Sequence, residues 1–256
     1  MPNRLAIALS HWNGALMFYT CLPLPASWPV AFERTAQFAP LVGVVLALGL
    51  GLADGLLGLL HMPLLVRSAL IVMGWLALTG GLHLDGVMDT ADGLAVPPQR
   101  RLAVMADSHM GAFGGMAAIA LLLLKVTALA SLPQYRAFAL MVAAGWGRWG
   151  QQWAIARYDY LRPEGKGAFH QKAIRSGRDT LPSGLGLLGL TGLLGLLGWV
   201  SWLPIGLSLI GGWGGSMILA AYFDRKLGGH TGDTYGAVVE WTEALVFCCL
   251  TIGTSV

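Results

Sequence analysis

Charge is scarce in this chain. Of its 256 residues, 11% are Asp, Glu, Lys or Arg, where a soluble domain carries about 25%. With 55% hydrophobic residues and a mean hydropathy of +0.64, a soluble globule is excluded. The period-two alternation of a β-barrel is missing, and the apolar runs are too long and too numerous for buried core helices. Cysteine is nearly absent: Cys21, Cys248 and Cys249 show neither metal spacing nor a disulfide framework, and adjacent cysteines in an apolar helix read as small packing residues. No low-complexity linker divides the chain, and no nucleophile elbow, Walker loop or HExxH is found. A cleavable signal peptide is not expected, because the first apolar stretch is interrupted by His11 and Asn13 and stops at Pro23 and Pro25.

What is there reads as all-α: one integral-membrane catalytic domain over 1–256, a polytopic transmembrane helical bundle. About seven spans are expected near 38–60, 64–82, 113–131, 137–156, 182–201, 203–223 and 237–254, after an N-terminal helix that is half buried or interfacial. Glycine is plentiful, with 36 residues, and the pairs Gly51/Gly55 and Gly211/Gly215 and the series Gly186, Gly189, Gly192, Gly195, Gly198 predict close helix packing. Arg34, Arg100, Arg101, Arg157, Arg162, Lys166, Lys172, Arg175, Arg178, Arg225 and Lys226 fall on one side of this topology, against Arg67 and Arg136 on the other. The first side is therefore read as cytoplasmic. Asp85, Asp89, Asp92, Asp107, Asp233, Glu240 and Glu243 gather on that same side.

The stretch Gly80-Gly81-Leu82-His83-Leu84-Asp85-Gly86-Val87-Met88-Asp89-Thr90-Ala91-Asp92-Gly93 sets Asp85, Asp89 and Asp92 at i, i+4 and i+7. At roughly 100° per residue a helix brings them onto a stripe about 60° wide. Three anions that close repel one another unless a cation sits among them, and Mg²⁺ held by oxygen ligands is the simplest answer. The plainer reading is a solvated acidic face or a set of helix caps. Gly86 and Gly93 favour a site, because they let a phosphate approach the backbone.

A second acidic group, Asp233, Glu240 and Glu243, spans i, i+7 and i+10 and opens the last span. Burying Glu240 and Glu243 there requires a cation or a basic partner, unless they complement a helix dipole. Asp107, Ser108 and His109 form a polar turn before the third span that either caps the helix or offers a phosphate site. Arg157, Arg162 and Lys166 belong to a basic, aromatic and glycine-bearing loop, while Arg148 lies inside the fourth span and needs a carboxylate or a substrate phosphate. Lys125 and Asp54 are intramembrane charges with no sharp role. His83, His109 and His230 adjoin acidic groups and either bind phosphate, shuttle a proton or serve structure.

Two acidic groups and a basic loop at one membrane face suit metal-assisted phosphoryl transfer on an anionic, diphosphate-bearing substrate. A CDP-alcohol phosphotransferase follows the same logic, but Ala91 precedes Asp92 where that pattern has Arg. A divalent-cation transporter would scatter its acids through the membrane depth, and these stay at one face.

The motif at 80–93, the turn Asp107–Gly114, Arg162-Pro163-Glu164-Gly165, and Gly228-Gly229-His230-Thr231-Gly232-Asp233-Thr234-Tyr235-Gly236-Ala237 ahead of Glu240 and Glu243 together resemble the cobalamin synthase family, the adenosylcobinamide-GDP ribazoletransferases. Leu22-Pro23-Leu24-Pro25 and Phe38-Ala39-Pro40-Leu41-Val42-Gly43 fit too, so the resemblance covers nearly the whole chain in order. His109 stands where that family commonly has Arg, and Lys166 where it has an apolar residue. The resemblance implies a Mg²⁺-dependent enzyme of the bacterial cytoplasmic (inner) membrane. It joins adenosylcobinamide-GDP to α-ribazole or its 5′-phosphate, releasing GMP and forming adenosylcobalamin or its phosphate. Asp85, Asp89 and Asp92 are then the expected main metal ligands, with Asp233, Glu240 and Glu243 completing the site. One carboxylate, helped by His83, takes the proton of the attacking hydroxyl; Asp107, Ser108, His109, Arg148, Arg157, Arg162, Lys166 and His230 hold substrate. The two substrates and the lipid bilayer are the expected partners, with room for a homo-oligomer and no nucleic acid.

Overall fold

The computed structural model describes residues 4–162, 170, 174 and 176–252. Those residues are helical throughout, with one isolated bridge between Tyr160 and His230 and no strand. The helices are α1 (Arg4–Tyr19), α2 (Thr35–Leu59), α3 (Leu64–Leu78), α4 (Leu82–Leu94), the short α5 (Arg101–Val104), α6 (Ala112–Ala130), α7 (Arg136–Arg157), α8 (Leu181–Leu196), α9 (Trp202–Leu209), α10 (Gly215–Leu227) and α11 (Gly232–Thr251). A π-helical turn, Ile210–Gly214, joins α9 to α10 as one 26-residue helix. There Gly212 lies against the Trp146 ring, leaving no space for a Cβ.

α7 is the axis of the bundle. It is buried from Phe138 through Gln152 and packs most broadly on α2 and α11. Gln152 donates to the carbonyls of Ala36 and Gln37 at 2.7 and 2.9 Å, which fixes the end of α7 against the start of α2. The outer helices turn apolar side chains away from this axis: Leu41, Val45, Leu48, Leu52 and Leu56 on α2, and Phe113, Met116, Ile119 and Leu123 on α6, are all exposed. Helices that are apolar inside and outside suit a lipid environment. α1 is half buried, with Ala15, Leu16 and Tyr19 against α2 and Asn13 donating to the Pro29 carbonyl at 2.9 Å, while Leu5, Ile7, Leu9 and Met17 face outward.

By length and composition, Thr35–Leu59, Ala112–Ala130 and Trp202–Leu227 can each cross a membrane, and α3 with α4 makes a fourth if that bent pair is one span. The remaining stretches expected as spans, 137–156, 182–201 and 237–254, fall on α7, α8 and α11. α7 and α11 carry Arg148, Glu240 and Glu243, yet those charges are turned inward and paired, so neither helix needs an uninterrupted apolar sequence. α8 is only 16 residues long. Its glycine series does not make the close packing expected of it: Gly186, Gly189, Gly192 and Gly198 meet nothing within 4 Å, and only Gly184 and Gly195 in this helix touch neighbours.

Between α3 and α4 the chain turns by 90°. Gly80 and Gly81 make the turn with φ of +60° and +70°, a left-handed conformation costly to residues with a Cβ. α4 is thereby carried off the axis of α3, and it begins where the expected span 64–82 ends. At the other end of the bundle, Asp54 of α2 accepts a two-pronged pair from Arg136 of α7 at 2.8 and 2.9 Å and a further bond from Arg67 of α3 at 2.6 Å. The lone cations of the opposite side thus share one buried acid that the sequence left without a role.

Candidate active site

α4 and α11 cross where each presents a glycine to the other's backbone. A Cβ on Gly86 would overlap the Asp233 carbonyl, and one on Gly236 would press on His83. Gly93 is likewise filled by Met105. These glycines bring helices together, which corrects the expectation that Gly86 and Gly93 open the backbone to phosphate. α11 begins at Thr231, whose hydroxyl accepts from Thr234 N–H while Thr234 Oγ1 accepts from Thr231 N–H at 2.9 Å. This capping box places Asp233 in the first turn, where the helix dipole favours an anion.

The crossing forms the floor of a cleft of about 510 Å³. Asp85, Asp89 and His83 line it from α4, Asp107 and Ser108 from the loop before α6, Gln151 from α7, Tyr160 and Arg162 from the loop after α7, and Asp233 from α11. Arg162 donates to Asp233 Oδ2 at 2.9 Å and to the Leu102 carbonyl at 3.1 Å. Its position is set by backbone bonds between the two loops, His230 N–H to Asp159 O and Leu161 N–H to His230 O, both 2.8 Å. Burial, and then the charges of Asp85 and Asp233, push the Asp89 carboxyl up to about 7. That negative surround is what a bound cation would relieve. Among the described residues no group of three His, Cys, Asp or Glu side chains is placed to hold a metal ion. Mg²⁺ does not require one, since it is commonly held by one or two carboxylates with water and substrate phosphate supplying the remaining oxygens. Asp85, Asp89 and Asp233, lining one cleft, can supply one or two such carboxylates.

The other expected site residues separate by environment. Asp92 lies beside this group but its two oxygens accept from Gly111 N–H and Gly114 N–H, each at 2.8 Å. It caps α6 from a different helix, so neither Asp107 nor Ser108 does so. Asp107 instead pairs with the exposed His109 ring at 2.6 Å, which holds its carboxyl below the usual range. His230 is buried between Thr234 Oγ1 at 3.0 Å and the Ala220 carbonyl at 3.1 Å, and burial lowers its pKa to about 4. Both its ring nitrogens are thus engaged within the fold, and it is not among the residues lining the cleft. Arg157 is exposed and rests over the Tyr158 ring, 5.7 Å from its centroid, outside the cleft lining. Lys166 lies outside the described residues.

Glu240 and Glu243 find the basic partner that their burial demanded. Lys125 Nζ donates to Glu240 at 2.6 Å and to Glu243 at 2.5 Å, and Arg148 donates to Glu243 at 2.9 Å. Two cations and two anions pair here, and Arg148, fully buried, donates through one nitrogen to Glu243 while its Nε and Nη2 have no partner. Glu240, Glu243 and Arg148 therefore belong to the frame beneath the cleft. His83 sits between frame and cleft, buried, with both ring nitrogens unpartnered.

Sequence reading passed over Gln151, Tyr160, His170 and Tyr235 in the cleft wall. Gln151-Gln152 was the available signal, two amides in succession inside an otherwise apolar helix.

The cobalamin-5-phosphate synthase family model matches residues 11–251. An adenosylcobinamide-GDP ribazoletransferase of Trichormus variabilis is 55% identical, over 96% of this chain and 98% of its own. Proteins of the same name from a Synechococcus and from Thermosynechococcus vestitus are each 51% identical, over 94% and 96% of this chain and 96% and 97% of theirs. No solved structure matches. A match of this extent, on a chain whose Asp85, Asp89 and Asp233 line one cleft, leads to one conclusion: the chain belongs to the cobalamin-5-phosphate synthase family.

Proposed function

We propose that the protein is an adenosylcobinamide-GDP ribazoletransferase of the cytoplasmic membrane, Mg²⁺-dependent, with about seven spans and its cleft open to the cytoplasm. The names of its relatives and the family supply the reaction. The observation that carries it to this chain is the meeting of Asp85, Asp89, Asp233 and Arg162 in one cleft at the end of the bundle where the basic loops collect. The family description names cobalamin-5-phosphate, the product expected when the acceptor is α-ribazole 5′-phosphate.

In this reading Asp85, Asp89 and Asp233 would hold the ion. Bound there, Mg²⁺ neutralises phosphate oxygens and the charge that develops on the departing GMP. Arg162 orients the nucleotide-side phosphate, exchanging part of its bond with Asp233 for the phosphate oxygen. A ribose hydroxyl of the acceptor attacks the phosphorus attached to cobinamide, the bond to the GMP oxygen breaks, and the hydroxyl proton passes to a cleft base. His83, with unpartnered ring nitrogens at the cleft floor, is placed for that task; burial and the charges of Arg148 and Lys125 hold its pKa well below the usual value, so the substrate's phosphates must stabilise its charged form.

Purified protein in liposomes, given adenosylcobinamide-GDP and α-ribazole or its phosphate, should release GMP only when Mg²⁺ is present. Failure to turn over either acceptor, with cleavage of a CDP-alcohol instead, would overturn the assignment.

A further inference from the structure

A second, larger cavity of about 920 Å³ opens beside the carboxylate cleft. Met17 and Phe18 of α1 form one wall, Leu76 and Ala77 of α3 another, and Met88 of α4 the third. The glycine elbow at 80–81 widens it, because no side chain projects there. The backbone bond from Cys21 N–H to the Leu78 carbonyl, 2.7 Å, closes one edge. Among the described residues its lining contains no Lys, Arg or His to meet a phosphate. It shares Phe18, Leu82 and Asp85 with the cleft. The cavities beside α8, beneath α4 and at the far end of the bundle touch none of the cleft's residues.

We propose that this groove receives the corrinoid half of the donor, while the cleft receives its nucleotide half, so that Asp85 stands at the reacting phosphorus. The inference rests on the transferase reading above. The donor's order is macrocycle, linker, two phosphates, nucleoside, and the bond that breaks lies between the phosphates. Two cavities on either side of one aspartate reproduce that order: a wide apolar one for the ring, and a narrower one with Arg162 and Tyr160 for the phosphate and base. A wide apolar wall with a few polar groups is the usual composition of a site for a large ring ligand.

Cys21 is exposed in the groove and reports on its occupancy. In a Cys248→Ser/Cys249→Ser background, alkylation of Cys21 by a maleimide is followed with adenosylcobinamide alone, with GDP alone and with neither. Adenosylcobinamide should slow labelling roughly tenfold and GDP should leave it unchanged. Separately, Ala77→Trp should raise the KM for the donor about tenfold with the KM for the acceptor unmoved. Labelling that ignores the corrinoid, protection by GDP, slowing by lipid reconstitution alone, or an acceptor-side KM effect would each overturn the assignment. Wild-type turnover of the full donor is measured alongside. Turnover without corrinoid protection removes the groove and leaves the transferase, whereas no turnover removes the transferase reading itself.

Discussion

At the scale of single residues, three aspartates on one helix do different work. Asp89 is raised to about 7 by burial and by its acidic neighbours. Below that pH its proton competes with the ion, and above it the carboxylate is free, so Mg²⁺ affinity should weaken as pH falls through 7. Displacement of one proton corresponds to about a tenfold loss per unit well below the pKa; calorimetric titration between pH 8 and 6 measures it. Asp89→Asn should remove this dependence and reduce Mg²⁺-dependent turnover by about a hundredfold or more. Asp92 should behave otherwise. Asp92→Ala deletes the cap of α6 and should cost about 1–2 kcal/mol, seen as a lowered Tm, with Mg²⁺ affinity largely kept. The placement of Asp85 and Asp89 was legible because a four-residue step within one helix fixes which face both occupy. Asp92 was not separable from them, since what it binds is backbone 19 and 22 residues further on. Spacing also flagged Glu240 and Glu243 as acids needing a positive partner, but a lysine 115 residues earlier leaves no local trace.

At the scale of elements, the acidic sites depend on how closely α4 and α11 approach. Gly86→Ala places a methyl against the Asp233 carbonyl, and overpacking of this kind costs about 1–3 kcal/mol. The expected outcome is a lower Tm together with a loss of turnover, because the same shift moves Asp233 away from Asp85. Gly189→Ala is the counterpart. With nothing within 4 Å of that position, it should leave turnover intact and raise stability by up to about 1 kcal/mol through helix propensity. Hydropathy read the existence of these helices and most of their extents. It did not separate glycines that admit a neighbouring backbone from those that face outward, because both look alike until the helices are oriented. It ended a span at 82 but did not show that the chain turns through a right angle at Gly80–Gly81.

At the scale of the whole molecule, two ionic knots fasten the bundle. Asp54 with Arg67 and Arg136 joins α2, α3 and α7, and Lys125 with Glu240, Glu243 and Arg148 joins α6, α7 and α11. Lys125→Met leaves the buried Glu240 without its cation and Glu243 with Arg148 alone, and should destabilise the fold by about 3–5 kcal/mol. Adding Glu240→Gln to it, with Glu243 kept as the partner of Arg148, should recover much of that loss, which thermal unfolding in detergent would show. The knots also impose an order on the making of the protein. Arg136 meets Asp54 already synthesised, but Glu243, the acid for Arg148, follows 95 residues later. At a ribosomal pace of about 5–20 residues per second, that is roughly 5–20 s in which the central helix carries an unmatched guanidinium. The last helix to emerge is thus the one that lets the middle of the bundle settle.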